Sequence, residues 1–376
     1  MENAIQPIQL LVVQPTAFCN IDCSYCYLPL RRTKGRMADH ILSSISENIV
    51  NSEYFDSKSL VLWHAGEPLS IPVQWYHKAY QLFSDARTEP THFQFQTNGM
   101  LIDDSWADFL SETKSSVGLS IDGPLIVHDF YRKDRQGYGT LKQTLRGMDF
   151  LKKRNIPFTV ISTITEHSLA NADQIYDFIH DIHPEKWGLS IEEAEGANTT
   201  STVYNESSLM NVERFFFRIA ARNFSSKTPL RIREIEQVLS SLAMGQNSGH
   251  VFQRHNQENM LGSIVSVGMD GSVSFFSPEL LTSIETRKNG GVIGNIVEST
   301  LEELLTNAKT KRLQDAILAG VELCRSSCEF YDFCGGGSPA NKYAEHGRYD
   351  VSDTWQCTLS KKAVARGVLA AIAAPA

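Results

Sequence analysis

Along residues 8–223 the apolar positions switch between two periods. The runs Ile8 to Val13, Leu60 to His64, Phe93 to Gln96, Val117 to Ile121, Phe158 to Ile164 and Trp187 to Ile191 predict strands, with period two plain at Val117, Leu119 and Ile121. Between them Ile41, Ile45 and Ile49, then Leu141, Leu145, Met148 and Leu151, then Leu209, Val212, Phe216 and Ile219 fall at helical spacing. Strands separated by crossover helices are parallel, because a hairpin cannot join them. Six such units predict an α/β fold, a partial (β/α)6 TIM barrel open along one side. The polar stretch Ala194 to Ser208 predicts a long loop, and Ile264 to Phe276 a hairpin turning at Asp270-Gly271. The expected organisation is a barrel over 1–225, a helical linker over 226–258 and a loop-rich second domain over 259–376.

Composition narrows the class. In 376 residues, 42% are hydrophobic, enough for a sizeable core, and 43 acidic against 35 basic side chains give a net charge of -8. That balance argues against nucleic-acid binding, which rests on phosphate neutralisation. The beginning MENAIQPIQ has no basic stretch followed by an apolar core, so no signal peptide is expected. The alanine-rich stretch Gly367 to Ala374 falls short of the roughly 20 residues of a membrane span. No membrane partner and a reducing, cytoplasmic setting are the expectations.

The seven cysteines divide into Cys19, Cys23 and Cys26, in the pattern CxxxCxYC after the first apolar run, and Cys324, Cys328, Cys334 and Cys357. Metal sites explain this split better than disulfides do. Thiolates suit iron-sulfur centres, and a group of three leaves one iron open to a small molecule bearing an amine and a carboxylate. Four thiolates close a cluster completely. Structural zinc remains the alternative at each place.

In parallel α/β folds, reactive groups collect at the C-terminal strand ends. There this chain places Ala65-Gly66-Glu67-Pro68, whose glycine admits a ligand to the backbone and whose Glu67 suits an ammonium group. Gln96-Thr97-Asn98-Gly99 is a polar turn suited to a ribose. Ser120-Ile121-Asp122-Gly123-Pro124 follows, with His128, Asp129 and Arg132 beyond it.

With these residues in order, the chain resembles the radical S-adenosylmethionine (SAM) superfamily. The resemblance implies a four-iron, four-sulfur cluster on Cys19, Cys23 and Cys26, with Tyr25 near the adenine. It implies that Gly66, Glu67 and Pro68 form the motif contacting the SAM amino group. Thr97, Asn98, Ser120 and Asp122 position the nucleoside, and Arg132 serves as a carboxylate partner. The C-terminal cysteines resemble the SPASM extension of peptide-modifying radical SAM enzymes. Here Ser338 stands where the pattern has a further cysteine, and the hairpin carries none. That departure implies two clusters in all, the second auxiliary one on Cys324, Cys328, Cys334 and Cys357. A hairpin aspartate that serves as base in the side-chain oxidases is also missing, the segment reading Phe275-Phe276-Ser277-Pro278-Glu279.

The phrases Trp63-His64-Ala65-Gly66-Glu67-Pro68-Leu69, Ser190-Ile191-Glu192-Glu193-Ala194-Glu195-Gly196 and Asn341-Lys342 with Glu345 are similar to a narrower group. Its members join an aromatic ring to a β-carbon in a ribosomally made precursor peptide, forming a cyclophane. Membership implies a precursor peptide as substrate, an electron donor such as flavodoxin or ferredoxin, and a base among Glu192, Glu193 and Glu195. Too few residues precede Ile8 for a winged-helix leader-binding domain, so the hairpin edge near Gly271 becomes a candidate for peptide addition. Another SPASM-type modification (thioether formation, epimerisation or side-chain oxidation) and a non-catalytic metal-binding scaffold are the alternatives.

Overall fold

The computed structural model describes residues 5–247, 256–282 and 286–374. Six parallel strands are joined by helices: β1 (Leu10–Val13), β2 (Leu60–Trp63), β3 (His92–Thr97), β4 (Ser116–Ser120), β5 (Phe158–Ile164) and β6 (Trp187–Ile191). The partial barrel is therefore present, with β5 and β6 at the bounds expected from their patterns. Trp63 on β2 anchors the core. It meets Tyr76 of helix Val73–Asp85 edge-on at 5.1 Å between ring centres and Phe93 of β3 at 5.4 Å, geometries that favour the ring quadrupoles.

The sheet does not stop at the barrel. β7 (Ile264–Val267) pairs in parallel with β1, and β8 (Ser272–Phe275) and β9 (Gly294–Asn295) continue it, giving the order β6-β5-β4-β3-β2-β1-β7-β8-β9. The expected hairpin turning at Asp270-Gly271 is present, β7 and β8 pairing antiparallel, but its edges are not free, since β1 and β9 pair on either side. Every residue of β7 and β8 is buried, because Ile264, Val265, Val267, Val273 and Phe275 all need cover. Leu10–Val13 occupies the edge at which a peptide was expected to add.

Helix Arg233–Asn247 lies in the expected linker, and residues 248–255 fall outside the described residues. The terminal helix Val364–Ala373 packs back on helix Glu206–Ser225 of the barrel. Gly367 permits that approach, since a Cβ there would lie 2.4 Å from the Glu213 carbonyl oxygen. The alanine-rich end thus serves helix packing. Among the described residues no helix is long and apolar enough to cross a membrane.

Candidate active site

The three-cysteine loop follows β1 and is clamped from one side by residues 131–135. Arg135 donates to the carbonyl of Cys19 at 2.7 Å, Arg31 to that of Cys23 at 2.8 Å, and the amide of Asp22 to the carbonyl of Lys133 at 2.8 Å. From the other side comes the Gly66 loop. A Cβ at Gly66 would sit 2.3 Å from the Phe18 carbonyl oxygen, so glycine lets the cysteine loop pack closely against this one. Ala65 before it has φ +97, a strained conformation that the packed loop enforces. Cys19 and Cys23 are buried and Cys26 half-buried. Burial pushes the Cys19 and Cys23 thiols up to about 12, so a metal has to displace their protons.

Glu67 braces two strand ends. Its carboxylate accepts from the Leu69 amide at 2.9 Å, the Thr97 hydroxyl at 2.6 Å and the Asn98 amide at 2.8 Å, leaving one lone-pair site of about four for anything else. Burial pushes its carboxyl up to about 7. Asn98 donates to Asn20 of the cysteine loop at 2.7 Å, and Ser120 accepts from Gln96 at 3.0 Å. Asp122 accepts from Tyr25 at 2.5 Å, Arg132 at 3.0 Å and the Thr163 amide at 2.9 Å. It thereby fixes Tyr25 and Arg132, whose guanidinium lies 5.4 Å from the Tyr25 ring centre and 3.9 Å from the Cys23 sulfur.

One cavity of about 340 Å³ gathers Cys19, Cys23, Cys26, Tyr25, Gly66, Glu67, Thr97, Asn98, Ser120 and Arg132 on its wall, with Glu192 and Glu193 opposite. Asp122 and Pro68 stand behind the wall rather than on it: Asp122 orients its neighbours, and Pro68 starts a short 3₁₀ turn and accepts from Tyr76. A second cavity of about 610 Å³ shares Ser190, Ile191, Glu193 and Glu279 with the first and runs on to Glu195, Glu258, Cys334 and Cys357. The three expected bases separate here. Glu192 holds the following loop by accepting from the amide and hydroxyl of Thr202. Glu193 accepts from Asn341 at 2.9 Å and Gln356 at 3.0 Å. Burial raises Glu193 and Glu195 above the usual carboxyl range, and neighbouring carboxylates add to the rise.

Sequence reasoning missed two residues that line the first cavity, Glu279 and His64. Burial, with Glu258 and Glu193 beside it, pushes Glu279 up to about 8. Its position follows β8 through Phe276, which holds φ +73. Only the pairing of β7 with β1 brings residue 279 to the barrel mouth. His64 lines the first cavity with a buried Nδ1 that has no hydrogen-bond partner among the described residues, and burial pushes its imidazolium down to about 4. The motif around it was the available signal.

The four C-terminal cysteines also assemble. Cys324 and Cys328 flank the end of helix Ala308–Ser327, and Cys334 ends the next short helix. Three left-handed glycines, Gly335, Gly336 and Gly337, then fold the chain back so that the Gly337 amide donates to the Cys334 sulfur at 3.2 Å. Cys357 begins the turn into the terminal helices, with its thiol pushed up to about 12 by burial. Ser338, at the place of the missing cysteine, lies 3.5 Å from the Ser277 hydroxyl. No three His, Cys, Asp or Glu side chains among the described residues are gathered closely enough for a single metal ion. The fit to iron-sulfur groups therefore rests on the thiol chemistry and the cradles around each set.

The pattern of the radical SAM superfamily matches residues 13–179. An uncharacterized protein of Synechocystis is 34% identical over 373 residues, covering 97% of this chain and 92% of its own. The cysteine-type anaerobic sulfatase-maturating enzyme of Clostridium perfringens is 25% identical over 352 residues, 88% of each chain. Of solved structures, anSMEcpe with bound AdoMet and the Cp18Cys peptide superposes with a TM-score of 0.77 at 22% identity, covering 96% of this chain and 97% of the other. Streptococcus suis SuiB bound to precursor peptide SuiA reaches 0.67 at 13% identity, covering 93% and 76%. Residues 13–179 of this chain are a radical SAM domain. The chain is similar to the anaerobic sulfatase-maturating enzymes, and the domain implies SAM and a four-iron, four-sulfur cluster.

Proposed function

We propose that this enzyme modifies a ribosomally made precursor peptide by joining an aromatic ring to the β-carbon of a nearby residue. The observation that carries the reading is the shared wall: Glu193 and Glu279 stand between a cavity lined by the three cysteines and one lined by Cys334 and Cys357. Cys19, Cys23 and Cys26 would hold a cluster at which SAM binds; started by one electron from a carrier of flavodoxin or ferredoxin type, its chemistry would take one hydrogen atom from the β-carbon of the substrate. Joining that carbon to the arene and restoring aromaticity releases one electron and one proton. The carboxylate of Glu279 or Glu193 receives the proton, and Cys324, Cys328, Cys334 and Cys357 would hold a cluster able to accept the electron and return it to the carrier.

In this reading Tyr25, Thr97, Asn98, Ser120 and Arg132 surround SAM, Asp122 orients Tyr25 and Arg132, and Glu67 offers its remaining lone pair to the amino group. Residues 1–225 supply the radical and 259–376 the electron acceptor, although one sheet runs through both. The peptides bound to the structural neighbours, Cp18Cys and the precursor SuiA, support a peptide substrate.

The test is anaerobic incubation of reconstituted enzyme with short peptides encoded beside its gene, followed by tandem mass spectrometry. Loss of two hydrogens, with no fragments between the joined residues, supports the crosslink. A product that reacts with a hydrazide is an aldehyde and replaces this reading with side-chain oxidation. An unchanged mass with deuterium gained from solvent replaces it with epimerisation.

A further inference from the structure

We propose that Lys342 tunes the four-thiol site: its ammonium, sealed beside Cys324, raises the reduction potential of the cluster held there and so suits it to accept an electron. The inference rests on the two-cluster reading above. Lys342 sits on helix Pro339–His346, just past the glycine turn, and is 2% exposed. Its Nζ has no partner at full hydrogen-bond geometry among the described residues; burial works against its charge, and Cys324 first, then Cys334 and Cys357, favour it.

A buried ammonium is strongly disfavoured without a counter-charge. Neutral thiols provide none, whereas four thiolates around an iron-sulfur core carry net negative charge. Two glycines make the route for the side chain. A Cβ at Gly320 would lie 3.0 Å from the Lys342 Nζ, and one at Gly337 would touch its Cε at 3.7 Å. Gly320 stands one helical turn before Cys324, so the same helix face offers the slot and the ligand. An electron entering the cluster adds negative charge, which the fixed positive charge and the Gly337 amide on Cys334 both favour.

The test uses the full chain, anaerobically reconstituted, in a background where Cys19, Cys23 and Cys26 are alanine, so that only the four-thiol site contributes. Iron and sulfide are assayed, and the potential is read by titration followed by electron paramagnetic resonance. At a fixed solution potential, Lys342→Met and Lys342→Gln should lower the ratio of reduced to oxidised cluster at least tenfold, about 59 mV for one electron. Lys342→Arg should keep most of the wild-type ratio. Equal potentials in Lys342→Gln and Lys342→Arg at full iron overturn the tuning role. Absence of iron from the background protein with Lys342 intact overturns the two-cluster reading instead. If Lys342→Met sheds its iron, the Gln and Arg pair still decides.

Discussion

The two cysteine sets are built by opposite means. At the barrel mouth the cations beside the thiols, Arg31, Arg132 and Arg135, are already met by Asp22 and Asp122, and a cavity opens next to them. In the C-terminal region a helix end, a glycine turn and Lys342 surround the thiols, and the second cavity reaches Cys334 and Cys357. Three thiols leave a cluster open at one iron, which suits a cofactor that binds and is consumed; four close it, which suits electrons alone. The difference lies in the number of thiols as well as in what surrounds each set.

The largest effects should come from deleting each set in turn. Alanine at Cys19, Cys23 and Cys26 should abolish 5'-deoxyadenosine formation and leave about four irons of about eight per chain. Alanine at Cys324 and Cys357 should instead spare deoxyadenosine release while crosslinked peptide disappears. If both deletions abolish deoxyadenosine equally, the contrast between an open and a closed site fails. Gly66→Ala should resemble the first deletion, because the Phe18 carbonyl has no room to move without the cysteine loop.

Next in size is the wall between the sites. Glu279→Gln should cut crosslinking about a hundredfold more than it cuts deoxyadenosine release, as expected for loss of a general base. Because Glu279 is pushed up to about 8, crosslinking should climb as pH rises through about 8, and the variant should lose that climb. The same shift affects stability. Between the ordinary carboxyl value and about 8 the folded state holds a proton that the unfolded state has lost, so stability falls as pH rises across that window. The glutamine variant should therefore be stabilised relative to wild type more at pH 9 than at pH 5 in denaturant melts. A flat difference would remove Glu279 from the titrating wall and leave Glu193 to carry it.

Local patterns made the barrel readable and left the wall obscure. β5 alternates buried and half-exposed residues from Phe158 to Ile164, so period two alone marks its bounds. The cysteine spacings were legible because ligands must be near in sequence when one loop supplies them. Glu279 was not legible in that way. Its place depends on Leu10–Val13 pairing with Ile264–Val267, a contact between chain segments far apart that no window of sequence encodes. His64 went unremarked as a site residue because one histidine after a strand looks like any core histidine until its empty Nδ1 is seen in a cavity. Gly66 was assigned its need for space correctly, but the neighbour that needs the space is Phe18.

The smallest predicted effect separates the adjacent glutamates. Glu192 and Glu193 follow the same strand, yet Glu192 spends its carboxylate on the amide and hydroxyl of Thr202, while Glu193 reaches Asn341 and Gln356 across to the C-terminal region. Glu192→Gln keeps the shape, and its amide oxygen can still take both Thr202 donors, which share one carboxylate oxygen, but its NH2 then faces the buried Asn198 amide donor. That costs about 1–3 kcal/mol in denaturant unfolding. Product yield per deoxyadenosine should stay within about twofold of wild type, because Glu192 anchors a loop rather than receiving the proton. Glu193→Gln should show the reverse balance, with coupling falling further than stability, since Asn341 can turn its amide oxygen to the new NH2 while Gln356, held by Tyr204 and Ile191, goes on donating to the remaining oxygen. If Glu192→Gln uncouples the reaction as strongly as Glu193→Gln, the proton leaves from the loop side of the cavity, and the shared wall loses its part in the chemistry.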